Sequence, residues 1–255
     1  MNGNCREVTE VCAELTRWMA GQPSVGEESL TDWLLYDLSR RVPRVAYQKF
    51  TRWDEGTRTG ADWEWWLWFD AFALGVRVQA KRLAASDNYA GIAYSNRTGM
   101  QIDLLRDDAR QEGLLAAYCF YTSSTLPSKC GKAPSPGQGA YMADADDIFN
   151  AVIAPGRRRV TPSDVLAETT PLSCWFCCPL MAHADGGRTV PFFDRYHQRF
   201  AEAWPERGFR EVPPEYALRL LEAPSVDLER DNRSNLGYEG SAGALLVVDL
   251  RGTFG

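Results

Sequence analysis

Apolar residues recur at three- and four-residue steps over residues 4–20, where Val8, Val11, Cys12, Leu15, Trp18 and Met19 fall on one helical face. A Gly/Pro/Ser break at 21–26 separates this from a second helix over 27–41, with Leu30, Trp33, Leu34 and Leu38 at helical spacing and Pro43 as its stop. The pattern then changes period. Residues 44–50, 61–69 and 75–83 read as strands, and in the last Val76, Val78 and Ala80 take one face while Arg77, Gln79 and Lys81 take the other. Turns are expected at 56–60 and 70–75. Residues 99–113 return to a helix, with Ile102, Leu105 and Ala109 inward and Gly113 as C-cap. Residues 114–122 form an almost continuous apolar run, as in a strand buried on both faces. The order α-α-β-β-β-α-β predicts an α/β core with a sheet between helices.

The second half is less regular. Residues 123–139 read as a surface loop, and short helices are expected at 144–152, 161–168, 192–203 and 213–222. Residues 225–243 read as loop, and 244–250 as a late strand able to join the sheet. These patterns divide the chain into a core at 1–125 and a helical, loop-rich extension at 126–255, packed on the core or completing it.

Composition narrows the class. The chain has 255 residues, 45% hydrophobic and 24% charged, which suits a sizeable globular core. Five of its nine Trp lie between Trp53 and Trp68, a concentration that reads as an aromatic core or a buried partner surface. A net charge of −6 argues against a protein that coats nucleic acid through bulk charge. It is compatible with acidic metal ligands beside a local basic groove. The clusters Arg40, Arg41, Arg44 and Arg157, Arg158, Arg159 read first as solvated faces. Residues 1–19 carry Glu7, Glu10, Glu14 and Arg17, so no signal h-region is present, and no apolar run approaches the ~18 residues of a membrane span. A cytoplasmic protein with no membrane contact is expected. Seven Cys, an odd number, favour reduced thiols over a disulfide framework.

The segment Gly60-Ala-Asp-Trp-Glu-Trp followed by Val76-Arg-Val-Gln-Ala-Lys-Arg-Leu83 carries candidate chemistry. Residues two apart on a strand face the same way, so Asp62 and Glu64 share a face, as do Gln79 and Lys81. If the two strands pair, four polar groups converge. Carboxylates suit a hard cation such as Mg²⁺ or Mn²⁺, the Gln79 carbonyl adds a neutral oxygen, and so does the Ala80 backbone carbonyl. Lys81 could polarise an attacking water or stabilise phosphate charge in an in-line displacement. The bland alternative is an ordinary pair of amphipathic strands. Against it, Asp is disfavoured in strands, and a buried acid beside bulky aromatics needs a partner or a metal.

This arrangement resembles the PD-(D/E)XK nuclease superfamily, and Val78-Gln-Ala-Lys-Arg82 is similar to the Q-x-K variant of Mrr-type restriction endonucleases. In that family a Gly-x-Asp turn precedes the Q-x-K strand, as Gly60-Ala-Asp62 does here. The resemblance spans roughly residues 27–122. It extends to an uncharacterised bacterial family with the patterns Glu-x-x-Leu-Thr, Gly-Ala-Asp-x-Glu and Gln-Ala-Lys-Arg-Leu. It implies a restriction-endonuclease-like mixed sheet flanked by helices, with a mostly helical C-terminal part. It also implies a metal-dependent endonuclease acting on DNA, in restriction or antiphage defence, with RNA left open as substrate. Asp62, Glu64 and Gln79 would bind the metal, Lys81 would activate water, an N-terminal helical acid, Glu28 or Glu27, would complete the shell, and Gln101 would support the site. Gln79 in place of a second acid lowers the site's charge. Some superfamily members keep the fold and lose catalysis, which leaves a nuclease-fold binding or scaffold protein as the second reading. A homodimer and an activating protein or nucleotide partner stay open.

Other chemistries find little support. Cys174-Trp-Phe-Cys177 is a single C-x-x-C pair, completed only by Cys119, Cys130 or His183, so a structural zinc site at Cys174 and Cys177 is not expected. With two His, at 183 and 197, a His-rich metal site is not expected either. P-loop, dinucleotide and nucleophile-elbow motifs do not occur. Tyr89 and Tyr94 read as packing residues rather than DNA contacts.

Overall fold

The computed structural model describes residues 3–50, 60–70, 72–96, 99–123, 138–157, 159–177, 209–222 and 233–252. Two helices, α1 (Gly3–Gly21) and α2 (Glu27–Arg41), lead into strands β1 (Val45–Lys49), β2 (Trp63–Trp68) and β3 (Ala73–Arg82). A small hairpin of β4 (Ser95–Asn96) and β5 (Gly99–Met100) precedes α3 (Gln101–Glu112) and β6 (Leu115–Tyr121). Beyond these come β7 (Ala140–Asp144), α4 (Ala145–Ile148), a π-turn at Phe149–Ile153, α5 (Pro162–Val165), a 3-10 turn at Leu166–Glu168, β8 (Thr169–Pro171) and α6 (Leu172–Cys177). The chain ends with β9 (Phe209–Arg210), α7 (Glu215–Glu222), α8 (Arg233–Leu236) and β10 (Ala244–Asp249).

Seven strands form one mixed sheet in the order β1-β10-β2-β3-β6-β7-β8, and β9 pairs with the start of β3. The β10–β2 and β3–β6 pairs are parallel and the rest antiparallel. The fold is thus α/β, a mixed sheet flanked by helices, as the hydrophobic pattern predicts. Every residue of β10 is buried, which suits a strand with sheet neighbours on both sides and helices on both faces.

The second part of the chain contributes strands to the same sheet. β10 is inserted between β1 and β2, while β7 and β8 extend the sheet at its far edge, so the second part of the chain completes the core. The regular structure of its described residues is mostly short helices, with strands β7 to β10 among them. Most of the predicted loop at 123–139 lies outside the described residues, and β7 and β8 are strands that the pattern does not reveal. The helix expected at 192–203 lies outside the described residues, as do Trp53, Cys130, Arg158, His183 and His197.

Each face of the sheet has its own core. On one, Trp63, Trp65, Val76, Val78, Ala80 and Leu246 pack against Val8, Val11 and Leu15 of α1 and Leu30, Leu34 and Leu38 of α2. Trp65 stacks on Trp175 of α6 with ring centroids 5.4 Å apart, which ties the second half to the first. The other face carries Trp66, Leu245 and Val247 against Ala109, Ala217 and Leu220, and Tyr118 and Phe120 against Ile102 and Leu105. Side chains of this size contribute roughly 1.5–3 kcal/mol each on full burial. Into this second, α3-covered face the odd-numbered residues of β3 project their polar groups.

Three of the clustered arginines form ion pairs within the molecule. Arg41 pairs with Glu14 and Asp37, Arg44 with Asp249, and Arg157 with Asp164. Tyr89 is buried, and Tyr94 is exposed.

Candidate active site

The turn into β2 is fixed by Gly60. Its φ of +65° is left-handed, and a Cβ there would stand 2.7 Å from the Gln101 carbonyl oxygen. Only glycine fits that approach without strain. It seats the Asp62 segment against the start of α3. The Asp62 N–H then donates to the Val78 carbonyl at 2.8 Å, extending the β2–β3 ladder by one step.

From this position the Asp62 carboxylate reaches across β3. Its Oδ2 accepts from the Ala80 backbone N–H at 2.6 Å and from Gln79 Nε2 at 2.5 Å. Gln79 Nε2 also donates to the Ala80 carbonyl at 3.1 Å. Behind Gln79, its Oε1 accepts from Gln101 Nε2 at 2.8 Å, and Gln101 Oε1 accepts from Lys81 Nζ at 2.9 Å. The result is one chain of hydrogen bonds, Lys81 to Gln101 to Gln79 to Asp62. Gln79 and Lys81 are buried and Asp62 is half-buried. An ammonium group only donates and a carboxylate only accepts, so the two ends agree on the orientation of both amides between them.

Glu27, at the first turn of α2, closes the other side of Lys81. Its Oε1 lies 3.8 Å from Lys81 Nζ, and its Oε2 accepts from the Arg82 backbone N–H at 2.7 Å. Burial pushes the Glu27 carboxyl above its ordinary range, against the opposing pull of Lys81 and the Arg82 contacts. Glu28, the alternative from this helix, points elsewhere. It is half-exposed and stands 3.7 Å from Lys49 Nζ, which also pairs with Asp32. Successive helix residues are about 100° apart, so one acid faces the buried lysine and the next faces the cleft. That cleft, of about 240 Å³, is lined by Asp62, Glu27, Glu28, Thr31, Asp32 and Lys49 with Gly243 and Ala244.

Glu64 does not join this group. It shares Asp62's sheet face, as its parity requires, but sits opposite Arg77 in the β2–β3 register. Its carboxylate takes Arg77 Nη1 at 2.6 Å, Trp66 Nε1 at 2.6 Å, Tyr216 Oη at 2.6 Å and Tyr238 Oη at 3.1 Å. About four acceptor sites exist on a carboxylate, and four donors fill them. Arg77 Nε lies 2.9 Å from Asp108 of α3, so both charges are paired in the interior. Glu64 is therefore a structural ion-pair partner and not a metal ligand.

Among the described residues, no three His, Cys, Asp or Glu side chains stand together as a metal-binding group. A cation held here would draw on Asp62, the neutral oxygens of Gln79 and Ala80, and water, with Glu27 and Glu28 across the cleft. That oxygen-rich donor set fits a hard divalent cation. It carries one mismatch: Gln79 turns its NH₂, not its carbonyl, toward Asp62. As for zinc, Cys119 is buried in β6 and Cys174 half-buried in α6, while the side chain of Cys177 lies outside the described residues.

Lys49 and Asp32 are the site residues that the strand motif does not reveal. Lys49 falls at the end of a strand whose alternation is legible, but only the fold brings β1 beside the N-terminus of α2. A family model described as "Family of unknown function (DUF6615)" matches residues 5–248. The chain belongs to that family. No curated protein matches it.

Proposed function

We propose that this member of the DUF6615 family is a metal-dependent nuclease that hydrolyses DNA phosphodiester bonds. The observation that carries the reading is the convergence of Asp62, Gln79 and Lys81 on one sheet face, linked through Gln101 and flanked by Glu27. Amphipathic strands paired by chance do not require an acid, two amides and a lysine to satisfy one another in the interior.

A bound Mg²⁺ or Mn²⁺ would supply Lewis acidity and an activated water for in-line attack on phosphorus. Asp62 would hold it, with the carbonyls of Ala80 and Gln79. Lys81 would donate to the phosphate oxygens or orient the attacking water, and Glu27 would keep that ammonium in place. Lys49 stands at the cleft mouth, where a phosphodiester backbone would arrive, and would exchange Asp32 and Glu28 for phosphate. The overall charge of −6 opposes DNA, so encounter would depend on such local groups, and activity would be sensitive to salt.

The resemblance to Mrr-type restriction endonucleases supports placing this activity in the cytoplasm, in restriction or antiphage defence. Among the described residues no helix is long and apolar enough to cross a membrane. One observation favours a second reading, a nuclease-fold module that binds without cutting: the described acidic side chains form no ready-made metal cluster. Plasmid cleavage with Mg²⁺, Mn²⁺ or EDTA separates the two. A cutting protein converts supercoiled plasmid only with metal. A binding module shifts DNA in a gel without converting it and does so in EDTA.

A further inference from the structure

We propose that Gln101 is a positioning residue that sets the site's affinity for its cation by fixing which end of the Gln79 amide faces Asp62. This rests on the nuclease reading above and deepens it.

Donor and acceptor polarity fixes both amides. Lys81 must receive an acceptor, so Gln101 presents Oε1 to it, 2.9 Å away. That leaves Gln101 Nε2 facing Gln79, which answers with Oε1 at 2.8 Å. Gln79 then has only its NH₂ left for Asp62, at 2.5 Å. Through two amides, the lysine dictates that a donor faces the carboxylate. A donor cannot ligate a cation, and Gln79 Nε2 occupies an Asp62 oxygen that a cation would use.

A cation bound by Asp62 and the Gln79 carbonyl requires the Gln79 amide to turn over. Its NH₂ then faces Gln101, which must turn as well, and the Gln101 NH₂ meets the Lys81 ammonium. The two donors cannot bond. Lys81 loses its Gln101 contact and retains Glu27, whose Oε1 is 3.8 Å away. Cation binding and loss of the Lys81–Gln101 contact are thereby coupled, and Gln101 is the joint between them. The packing at Gly60 keeps this joint in place, because the Gln101 Cγ lies 3.1 Å from where a Gly60 Cβ would stand.

The test is Mn²⁺ binding to the full chain, followed by electron paramagnetic resonance of the free ion, so that no turnover is needed. Gln101→Met is neutral and close in shape, and it removes the contact that must be broken. It should tighten Mn²⁺ binding about three- to tenfold, the worth of one net hydrogen bond. Gln79→Glu presents acceptors at both ends, so in that background Gln101→Met should give no further gain. Gln101→Glu keeps an acceptor for buried Lys81 and forces the Gln79 NH₂ away from Asp62. It should tighten binding at least as much as Gln101→Met, and it serves where the methionine variant does not fold. Unchanged or weaker Mn²⁺ binding in the folded Gln101 variants would overturn the proposal while leaving a cation site. Absence of Asp62-dependent Mn²⁺ binding in wild type and in Gln79→Glu alike would overturn the nuclease reading together with it.

Discussion

Glu64 and Arg77 stand directly opposite each other on β2 and β3, their charges 2.6 Å apart and both side chains about 1% exposed. One step along the same two strands lie Asp62 and Gln79. The sheet face therefore carries two polar networks in series, one of Glu64 and Arg77 with Tyr216 and Tyr238, at the floor of a cleft of about 360 Å³, and one of Asp62 and Gln79 beside the smaller cleft of about 240 Å³.

Because both side chains of the first pair are buried, removing one partner leaves an uncompensated charge. Glu64→Ala should destabilise the fold by about 3–5 kcal/mol, whereas Glu64→Leu combined with Arg77→Met should recover only part of that loss, because Asp108 and the Tyr216 and Tyr238 hydroxyls then lose a partner. Urea denaturation of the single and double variants measures this. A single variant of full stability that fails to bind Mn²⁺ would return Glu64 to the metal site.

Gly60 makes a separate demand. Gly60→Ala places a methyl 2.7 Å from the Gln101 carbonyl at a φ of +65°. The expected loss is about 1–3 kcal/mol, with a weakened Mn²⁺ affinity because the Asp62 ligand is displaced. A shift in the urea midpoint without a change in affinity would mean that the turn serves folding alone.

Glu27 gives a pH signature. Burial raises its folded-state value above the ordinary 4.5, despite Lys81 and Arg82. A raised value favours the protonated form in the folded state. The stability it contributes is complete below the ordinary value and is lost as pH rises through the higher folded one. Wild-type stability should therefore fall relative to Glu27→Gln as pH climbs from 4.5 upward, and then run parallel to it. Denaturation midpoints of the two proteins across that window test it; a difference independent of pH would mean that Glu27 is ionised in both states.

Much of this was legible in the sequence where a period and a chemical pattern coincide. Alternation in β3 separates Val76, Val78 and Ala80 from Arg77, Gln79 and Lys81, and the sheet buries the first set against α1 and α2. The pattern places Gly60 at the end of a turn and starts the strand at 61, two residues before β2 begins at Trp63; the Gly60-Ala-Asp62 turn itself is implied only by the family resemblance. Glu64 misleads because parity gives a side chain's face but not its partner. Those partners include Tyr216 and Tyr238, 152 and 174 residues further on. β7 and β8 are hidden because each is short, the first following a Pro- and Gly-rich stretch and the second ending on Pro171, so neither builds a clear two-residue period. Choosing Glu27 over Glu28 depends on how α2 is rotated against β3, which a helical repeat alone does not fix.

The central claim is that Asp62 and Lys81 act together on a phosphodiester. Its most direct test is cleavage of supercoiled plasmid with Mg²⁺, Mn²⁺ or EDTA by wild type, Asp62→Asn and Lys81→Met, each checked for folding by its melting curve. Metal-dependent cutting by wild type, reduced at least about 100-fold in both folded variants, is the predicted result. Cutting that persists in either folded variant, or a wild type that leaves plasmid intact with every metal, would contradict it.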